Sequence, residues 1–378
     1  MNQLFSVLMP TYNQAEYLGA AIESVLAQTY ENFELVIVND GSTDETPGIM
    51  VEYAGRDSRI KIFHKENGGT ASALNYALAK AKAPWACWLS SDDLFMESHL
   101  QLHADLIEKK PDAWFIHSDY NCLIEAENKI IPANMGINIP PLHLQSIKLL
   151  RLNYVSGITI AARTELLKEI GFNESLNHAQ DYDMWMEISL RRPFHWIATP
   201  SAITRVHKGQ GTFSYPLGGL LDGAFVGLNA INRHPLKDFL IFADLGNADI
   251  HGAIMNELLA CLLDENSYMV KAGFAIALAN RICEWIHYDA PPAAKKNAIA
   301  AIENFAAQYR ALLGEDNIAL MNSILTKPID KYQPYDGRIL MAARIEKHKK
   351  HGNSAMAEEL QKYLNANPEI KFNIKSAL

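Results

Sequence analysis

Two adjacent carboxylates, Asp92 and Asp93, are the side chains in this sequence with the clearest chemical potential. They stand in the run Leu89-Ser-Ser-Asp-Asp-Leu94, directly after an apolar segment typical of a buried strand. Adjacent carboxylates repel each other, and a cation bound to them removes this cost. Hard oxygen ligands suit Mg²⁺ or Mn²⁺, which would keep positions open for the oxygens of a diphosphate. The alternative is a capping pair at the start of a helix near Glu97.

Asp181 and His207 are the next candidates. Asp181 lies in the run Asn177-His-Ala-Gln-Asp-Tyr-Asp-Met-Trp185, which leads into a predicted helix. It can cap that helix or act as a general base, and burial would have to offset the helix dipole that lowers the pKa of its carboxyl. Asp183 could provide the same cap. His207 stands beside two glycines in a predicted loop, Ile203–Phe213. A lone loop histidine is usually solvated, but the glycines indicate a loop that could close over a ligand.

Two further segments carry residues suited to binding a heterocyclic base. They are Val7-Leu-Met-Pro-Thr-Tyr-Asn13 and Val38-Asn-Asp-Gly-Ser-Thr-Asp44, and each begins as a strand and ends as a turn. The ring of Tyr12 can stack on a base, and Asp40 can accept a hydrogen bond from a ring N–H. The alternative is two ordinary turns between strand and helix, because Asn-Asp-Gly-Ser is also common turn chemistry. The pattern places four residues at one sheet edge: Pro10, Thr11, Tyr12 and Asp40.

The elements that would position these residues are short apolar strands alternating with segments of helical periodicity. Near-continuous apolarity predicts a sheet covered on both faces, hence a mostly parallel α/β sheet that binds ligands at the carboxyl ends of its strands. The predicted strands are Phe5–Met9, Leu35–Val38, Ile60–Phe63, Trp85–Leu89, Trp114–His117 and Gly157–Ala162. The predicted helices are Ala15–Ala27, Thr70–Lys82, Glu97–Lys109, Glu165–Ile170 and Asp181–Arg191.

The character of the sequence changes after about residue 211, where strand patterns fade and helical patterns rich in Ala, Leu and Ile follow. We therefore predict two domains, an α/β domain over residues 1–214 and an α-helical domain over residues 215–378. Packing as a bundle is the simplest interpretation of the second domain, and self-association, an acceptor platform or docking of a partner are its functional options. The predicted helices are Leu220–Asn232, Ile250–Asp264, Tyr268–Tyr288, Pro292–Leu313, Arg338–Lys350 and Ser354–Asn365.

Composition limits the classes of function. The formal net charge of −9 argues against non-specific binding to nucleic acid. Its four cysteines have no metal-ligand spacing, and no run of about 18 apolar residues is long enough to span a membrane. The N-terminus has no signal-peptide pattern, so we expect a cytoplasmic protein. The basic run Lys347–His351 could touch the inner face of a membrane, although a solvated helix face is the simpler interpretation.

Taken in order, the segments resemble the family 2 glycosyltransferases, which have the GT-A fold. The resemblance covers about 200 residues, is specific for the superfamily and says nothing about the sugar or the acceptor. The helical C-terminal part lies outside it. The matching stretches are Val7–Asn13, Glu34–Thr43, Asn67–Asn75, Leu89–Asp93, Gly157–Phe172 and Gln180–Trp185.

The resemblance implies a role for each matched position. Asp92 would be the ribose-side acid of the metal motif, and Asp93 would bind Mn²⁺ or Mg²⁺. Asp181 would be the catalytic base, and His207 would match a position that contacts the metal or the diphosphate in some members. The base would be held by Pro10, Thr11, Tyr12 and Asp40, and the ribose and diphosphate would lie near Asn67, Gly68 and Asn75.

The resemblance implies an inverting transfer of a hexose or N-acetylhexosamine from a nucleotide-diphosphate sugar, with uridine diphosphate as the expected carrier. The acceptor would be a polysaccharide, a lipid-linked glycan or a protein. The family often has Glu-Asp at the base, whereas this chain has Gln180-Asp181, so a binding or scaffold protein without activity stays an alternative. Neither a nucleotidyltransferase nor a dinucleotide-dependent oxidoreductase is favoured, because no glycine-rich phosphate loop follows a strand.

Overall fold

The structure is a computed structural model in which residues 5–133, 139–176, 178–207, 209–210, 226–245 and 247–263 are described, together with scattered positions between 278 and 300 and two further residues, Glu358 and Gln361. The chain divides into two compact units. The first comprises Met1–Ile139, Tyr154–Ile188 and Arg192–Gly219. The second comprises Pro140–Asn153, Ser189–Arg191 and Leu220–Leu378. The predicted boundary at residue 214 falls among residues that are not described, and it stays a prediction.

The first unit is built on a sheet that has nine strands among the described residues. Their order across the sheet is β3-β2-β1-β4-β8-β6-β9-β5, with β7 paired to β6. The strands are β1 (Phe5–Thr11), β2 (Phe33–Asp40), β3 (Ile60–Lys65), β4 (Trp85–Trp88), β5 (Leu94–Phe95), β6 (Phe115–Ile124), β7 (Lys129–Pro132), β8 (Ile160–Arg163) and β9 (Phe194–Val206).

Most of the strands point in one direction. Strands β3, β2, β1 and β4 pair in parallel. Strand β8 is antiparallel to both β4 and β6, so β6 points the same way as β4, and β9 is parallel to β6. Only β5, β7 and β8 run against this direction among the described strands. The predicted mostly parallel α/β sheet is therefore confirmed.

The described helices follow their apolar periodicity. In the first of them, Leu18, Ile22 and Val25 are fully buried at spacings of three and four residues, and they pack on the sheet. Every residue of β1 and β2 is buried, which explains their continuous apolar pattern. The helices are α1 (Ala15–Leu26), α2 (Thr46–Arg56), α3 (Gly69–Lys80), α4 (His99–Lys109), α5 (Gln145–Leu149), α6 (Thr164–Ile170), α7 (Gln180–Ser189) and α8 (Ala248–Leu263).

Several local predictions were wrong. Residues Ile203–Val206 were predicted as loop, but they end the long strand β9, whose irregular burial lacks a clear period of two. Gly157–Thr159 forms a 3-10 turn, and the predicted strand begins only at Ile160. Helix α2 was not predicted, although Met50 is buried and Ile49, Tyr53 and Ala54 pack against the core at helical spacing.

The described residues of the second unit are largely helical, in agreement with the prediction. Helix α8 matches the predicted helix Ile250–Asp264, and residues 226–233 are helical where Leu220–Asn232 was predicted. Lys148 on α5 forms an ion pair with Glu257 on α8, with 2.6 Å between Nζ and Oε2. The run Lys347–His351 and most of the later predicted helices lie outside the described residues. None of the described helices has the length and apolarity needed to cross a membrane.

Candidate active site

A cavity of about 970 Å³ opens in the first unit at the carboxyl ends of β1, β2 and β4. This edge of a parallel sheet is where α/β proteins bind ligands. Gly68, Asn75 and His207 do not line it. The predicted site residues that do are Pro10, Thr11, Tyr12, Asp40, Asn67, Asp92, Asp93 and Asp181.

Asp40 ends β2 and holds the loop between β3 and α3. Its Oδ1 accepts hydrogen bonds from Lys65 Nζ at 2.6 Å and from the backbone N–H of Gly68 at 3.0 Å. Its Oδ2 accepts from the backbone N–H of Gly69 at 2.8 Å, and its carbonyl oxygen accepts from the Asn67 side chain. A carboxylate oxygen can accept about two hydrogen bonds, so Oδ2 keeps capacity for a ligand. Asp40 therefore organises the loop that carries Gly68 as well as facing the cavity.

Tyr12 lies in the loop after β1, which is hydrogen-bonded to the loop after β2. The backbone N–H of Asn13 donates to Ser42 Oγ at 2.9 Å, and Asn13 Oδ1 accepts from the backbone N–H of Thr43 at 2.8 Å. Tyr12 is 48% exposed, so its ring is available to stack on a planar ligand. Thr11 is buried, and its Oγ1 has no hydrogen-bond partner among the described residues. These two residues offer a ring face and an unused hydroxyl to the cavity.

Asp92 and Asp93 lie in the turn between β4 and β5. Asp93 is 6% exposed, and its Oδ1 accepts a hydrogen bond from the backbone N–H of Arg205 at 2.8 Å. Burial and, to a smaller extent, the charge of Asp92 raise the pKa of the Asp93 carboxyl well above its usual value. The turn therefore places two carboxyl groups close together, and a bound cation would favour their charged forms.

His207 follows β9 and contacts this acidic pair instead of being solvated. Its Nε2 lies 3.2 Å from Asp92 Oδ2, and its ring centroid lies 4.5 Å from that of Tyr17 on α1. The side chain is buried, which corrects the expectation of a solvated loop histidine. His207 is buried because it packs against Tyr17, which is distant in the sequence, so no local pattern predicts this contact.

The donor set fits a divalent cation that is shared with a ligand. Two adjacent carboxylates, one of them buried, supply hard oxygen donors. Across the described residues, however, no three His, Cys, Asp or Glu side chains are arranged to hold a metal by themselves. Mg²⁺ and related ions usually keep only one or two carboxylates and take their other ligands from water and phosphate. Asp92 and Asp93 would therefore hold such an ion together with a diphosphate.

Asp181 enters the cavity from the first turn of α7. Its Oδ1 accepts a hydrogen bond from the backbone N–H of Tyr182 at 2.7 Å. Ala179, just before the helix, has a φ of 56°, a conformation that non-glycine residues rarely adopt and that is often found at functional sites. Asp183 is buried 3.5 Å from the Asn173 amide and does not line the cavity. Of the two acidic residues in this turn, only Asp181 therefore faces the cavity.

Gln180 lines the same cavity immediately before Asp181. Its Oε1 is buried and has no hydrogen-bond partner among the described residues. Buried carbonyl oxygens are normally hydrogen-bonded, so this atom is suited to accept a hydrogen bond from a ligand hydroxyl.

Asn75 is placed away from the cavity, with its amide engaged elsewhere. Its Oδ1 accepts from the backbone N–H of Phe172 at 2.8 Å, and its Nδ2 donates to Phe172 O and to Glu174 Oε1. These bonds tie α3 to the segment that follows α6. The structure therefore brings Asn67 to the cavity but not Asn75.

Trp88 lines the cavity and was not among the predicted site residues. It ends β4, within the predicted strand Trp85–Leu89. A Cβ atom on Gly157 would lie 2.4 Å from Trp88 Cζ3, so only glycine allows the ring this position. Trp88 Nε1 is buried without a described partner, which makes it a second unused donor at the site. Its place two residues before Ser90, at the end of the strand that leads to the acidic pair, was the available signal.

Arg205 was also missed. It lies near the end of β9 and donates from Nε to the carbonyl oxygen of Asp92 at 3.0 Å. Because β9 was not predicted, the sequence provided no reason to place this residue beside the acidic pair.

Comparison with known proteins identifies relatives of this chain. Residues 6–170 match the family described as Glycosyl transferase family 2. The UDP-Glc:alpha-D-GlcNAc-diphosphoundecaprenol beta-1,3-glucosyltransferase of Escherichia coli is 32% identical over 186 residues, which cover 49% of this chain and 69% of that protein. An uncharacterized glycosyltransferase of Rickettsia felis is 36% identical over 215 residues, 55% of this chain and 35% of that protein.

The matches to the Rickettsia proteins span between 31% and 66% of the length of those relatives. Among solved structures, S. aureus TarS 1–349 in complex with UDP-GlcNAc is 20% identical, covering 88% of this chain and 95% of that chain, with a TM-score of 0.49. The family assignment rests on the sequence matches, and the chain belongs to the family 2 glycosyltransferases.

Proposed function

We propose that this chain transfers a hexose or N-acetylhexosamine from a uridine-diphosphate sugar to an acceptor hydroxyl, with inversion at the anomeric carbon. The observation that carries the proposal is a single cavity lined by an exposed aromatic ring at Tyr12, an acidic pair at Asp92 and Asp93, and a separate carboxylate at Asp181. The ring suits the base of such a donor, the acidic pair suits its diphosphate together with a metal ion, and Asp181 suits the acceptor proton that the reaction must remove.

The donor would lie along the carboxyl ends of the strands. Tyr12 would stack on the base, while Asp40 Oδ2 and Thr11 Oγ1 would bind its polar edge. The diphosphate would lie at Asp92 and Asp93 and complete the coordination of Mn²⁺ or Mg²⁺. The metal ion, when bound, would stabilise the negative charge that develops on the leaving diphosphate.

Asp181 would accept the proton of the acceptor hydroxyl while that oxygen attacks the anomeric carbon from the face opposite the diphosphate. The neighbouring Gln180 cannot share this proton, since an amide does not titrate, but its Oε1 can accept a hydrogen bond from a sugar hydroxyl. In this arrangement a single carboxylate would act as the base.

The Escherichia coli relative supports a UDP-linked donor and a lipid-linked glycan acceptor, since its name includes both. We extend both to this chain as part of the proposal. A lipid-linked acceptor would bring the catalytic unit to the inner face of a membrane, where the C-terminal helices could dock a partner or a second copy. The product would then belong to the assembly of a cell-surface glycan.

The test is hydrolysis of a panel of UDP-sugars by the full chain, in Mn²⁺ and in EDTA. We expect slow release of UDP from one donor, lost in EDTA and reduced at least tenfold in Asp93→Asn. Asp105→Asn, on α4 and outside the cavity, is the matched control and should behave as the unmodified chain. If no UDP-sugar binds with or without metal, the proposal fails.

A second candidate function is a binding or scaffold protein that keeps the site without turnover. The observation in its favour is Gln180, which stands where the family often has an acid. Tight donor binding by calorimetry, without hydrolysis or transfer to any lipid-linked acceptor, would support this candidate over the enzyme.

A further inference from the structure

Arg205 contacts both members of the acidic pair from a different part of the chain. Its backbone N–H donates to Asp93 Oδ1 at 2.8 Å, and its side-chain Nε donates to the carbonyl oxygen of Asp92 at 3.0 Å. Strand β9 thereby holds the turn between β4 and β5 at two consecutive residues. The backbone bond is available to any residue except proline, whereas the bond to Asp92 requires a side-chain donor at this position.

The guanidinium of Arg205 is itself held on two further sides. Its Nη1 lies 3.6 Å from Glu125 Oε1, and its central carbon lies 5.0 Å from the ring centroid of Tyr17. Tyr17 also donates from its hydroxyl to Glu125 Oε2 at 3.3 Å. The side chain of Arg205 is only 13% exposed, so its planar head has a defined position. These contacts connect α1, the end of β6 and the end of β9 to the acidic turn.

We propose that Arg205 is a positioning residue for the metal–diphosphate part of the site, through its side-chain hydrogen bond to Asp92. This inference rests on the proposed function. A rigid planar head can donate from Nε to the carbonyl while a second nitrogen faces Glu125, and the single ammonium of lysine cannot reproduce both directions. The role therefore depends on geometry as well as on charge.

The geometry gives Arg205 an indirect effect on the donor. The carbonyl of Asp92 belongs to the peptide that joins the two carboxylate-bearing residues, so its position sets where both side chains begin. His207, two residues after Arg205, contacts the Asp92 carboxylate from the same strand end. Loss of the Arg205 head would free the turn, and the two carboxylates would have to be ordered when the metal and the diphosphate bind.

The experiment is calorimetric titration of UDP into the full chain in the presence of Mn²⁺, with the melting temperature of each variant recorded separately. We expect Arg205→Met to weaken UDP binding at least tenfold. We expect Arg205→Lys to recover part of that loss, because lysine restores the positive charge but not the planar guanidinium with its two donor directions.

Arg163 offers a matched control at another place in the same sheet. It also donates to backbone carbonyls, those of Ala113 and Pro111, and its guanidinium lies 4.7 Å from the ring centroid of Trp85. Arg163→Met should lower the melting temperature by an amount similar to Arg205→Met, yet bind UDP within twofold of the unmodified chain.

UDP binding by Arg205→Met within twofold of the unmodified chain would overturn the inference, and so would full recovery by Arg205→Lys, because charge alone would then suffice. Equal weakening by Arg163→Met would also overturn it by showing a general loss of structure. Absence of UDP binding by the unmodified chain would instead defeat the proposed function on which the inference rests.

Discussion

At the residue scale, the proposed reaction depends most on Asp181, because it combines a titratable oxygen with a position in the cavity beside Gln180. Asp183 stands two residues further and carries the same carboxylate side chain, but it is buried against Asn173. In this short motif, one carboxylate therefore faces the cavity and the other is buried within the fold.

Replacing Asp181 by Asn should lower kcat by about 10²–10⁴ and change the KM for the donor less than threefold, because the group would act on the acceptor proton. Steady-state transfer kinetics with the UDP-sugar that the hydrolysis panel selects provide the measurement. Asp105→Asn is again the control. A kcat within threefold of the unmodified chain would assign the base to another residue.

Gly157 illustrates how a residue without a side chain shapes the site. Gly157→Ala would place a methyl group 2.4 Å from the ring of Trp88, and we expect a loss of about 1–3 kcal/mol of unfolding free energy together with weaker donor binding. Urea unfolding and calorimetry measure the two effects. Gly55→Ala on α2, where no atom lies within 4 Å of the added Cβ, should be neutral or slightly stabilising. Equal stability of both variants would contradict this account.

At the element scale, the loop between β3 and α3 depends on the end of β2. Lys65 on β3 and the backbone N–H groups of Gly68 and Gly69 all donate to the carboxylate of Asp40, which is nearly fully buried. Their bonds fix the loop relative to the strand that precedes it.

Lys65→Met should reduce the unfolding free energy by about 1.5–3 kcal/mol, the usual contribution of a hydrogen bond to a charged group, and should weaken UDP binding by loosening the loop. Lys61→Met is the matched control, since Lys61 lies on the same strand, is exposed and donates only to Ser58 O among the described contacts of its Nζ. If both variants unfold at the same urea concentration, the ion pair contributes no net stability.

The element scale also separates what could be predicted from what could not. Strands β1, β2 and β4 were predicted within a few residues, because complete burial gives a continuous apolar run. Strand β9 was missed since it is partly exposed along its length and acquires its structure by pairing with β6. As a result Asp92 and Asp93 were found, whereas Arg205 was not.

At the scale of the whole molecule, three histidines of the first unit are almost completely shielded from water. His99, His103 and His117 are each 2% exposed or less. Burial lowers the pKa of His103 to about 4 and that of His117 to about 3, and it lowers the pKa of His99 well below its usual value. In the unfolded chain the same groups titrate near 6.5.

The chain should therefore lose stability as the pH falls below about 6.5. In that range the unfolded state binds protons that the folded state excludes, and each buried histidine costs about 1 kcal/mol between pH 7.5 and pH 5.5. Urea unfolding of the full chain at the two pH values is the measurement. His117→Phe should reduce the pH dependence by about one third, because one of the three buried histidines is then absent. An unchanged slope in His117→Phe would show that its pKa is not depressed.

The sequence by itself determined the α/β class, the helical character of the described C-terminal residues, and the set of acidic residues that carry the proposed chemistry. These follow from local apolar periodicity and from residue types, which need no knowledge of the remaining chain. Tertiary structure alone decided that Asp181 and not Asp183 faces the cavity, that Asn75 is engaged with Phe172, and that Arg205 contacts the acidic pair. Each of these depends on residues brought together from separate segments, where packing decides which polar atoms are satisfied by the fold and which remain for a ligand.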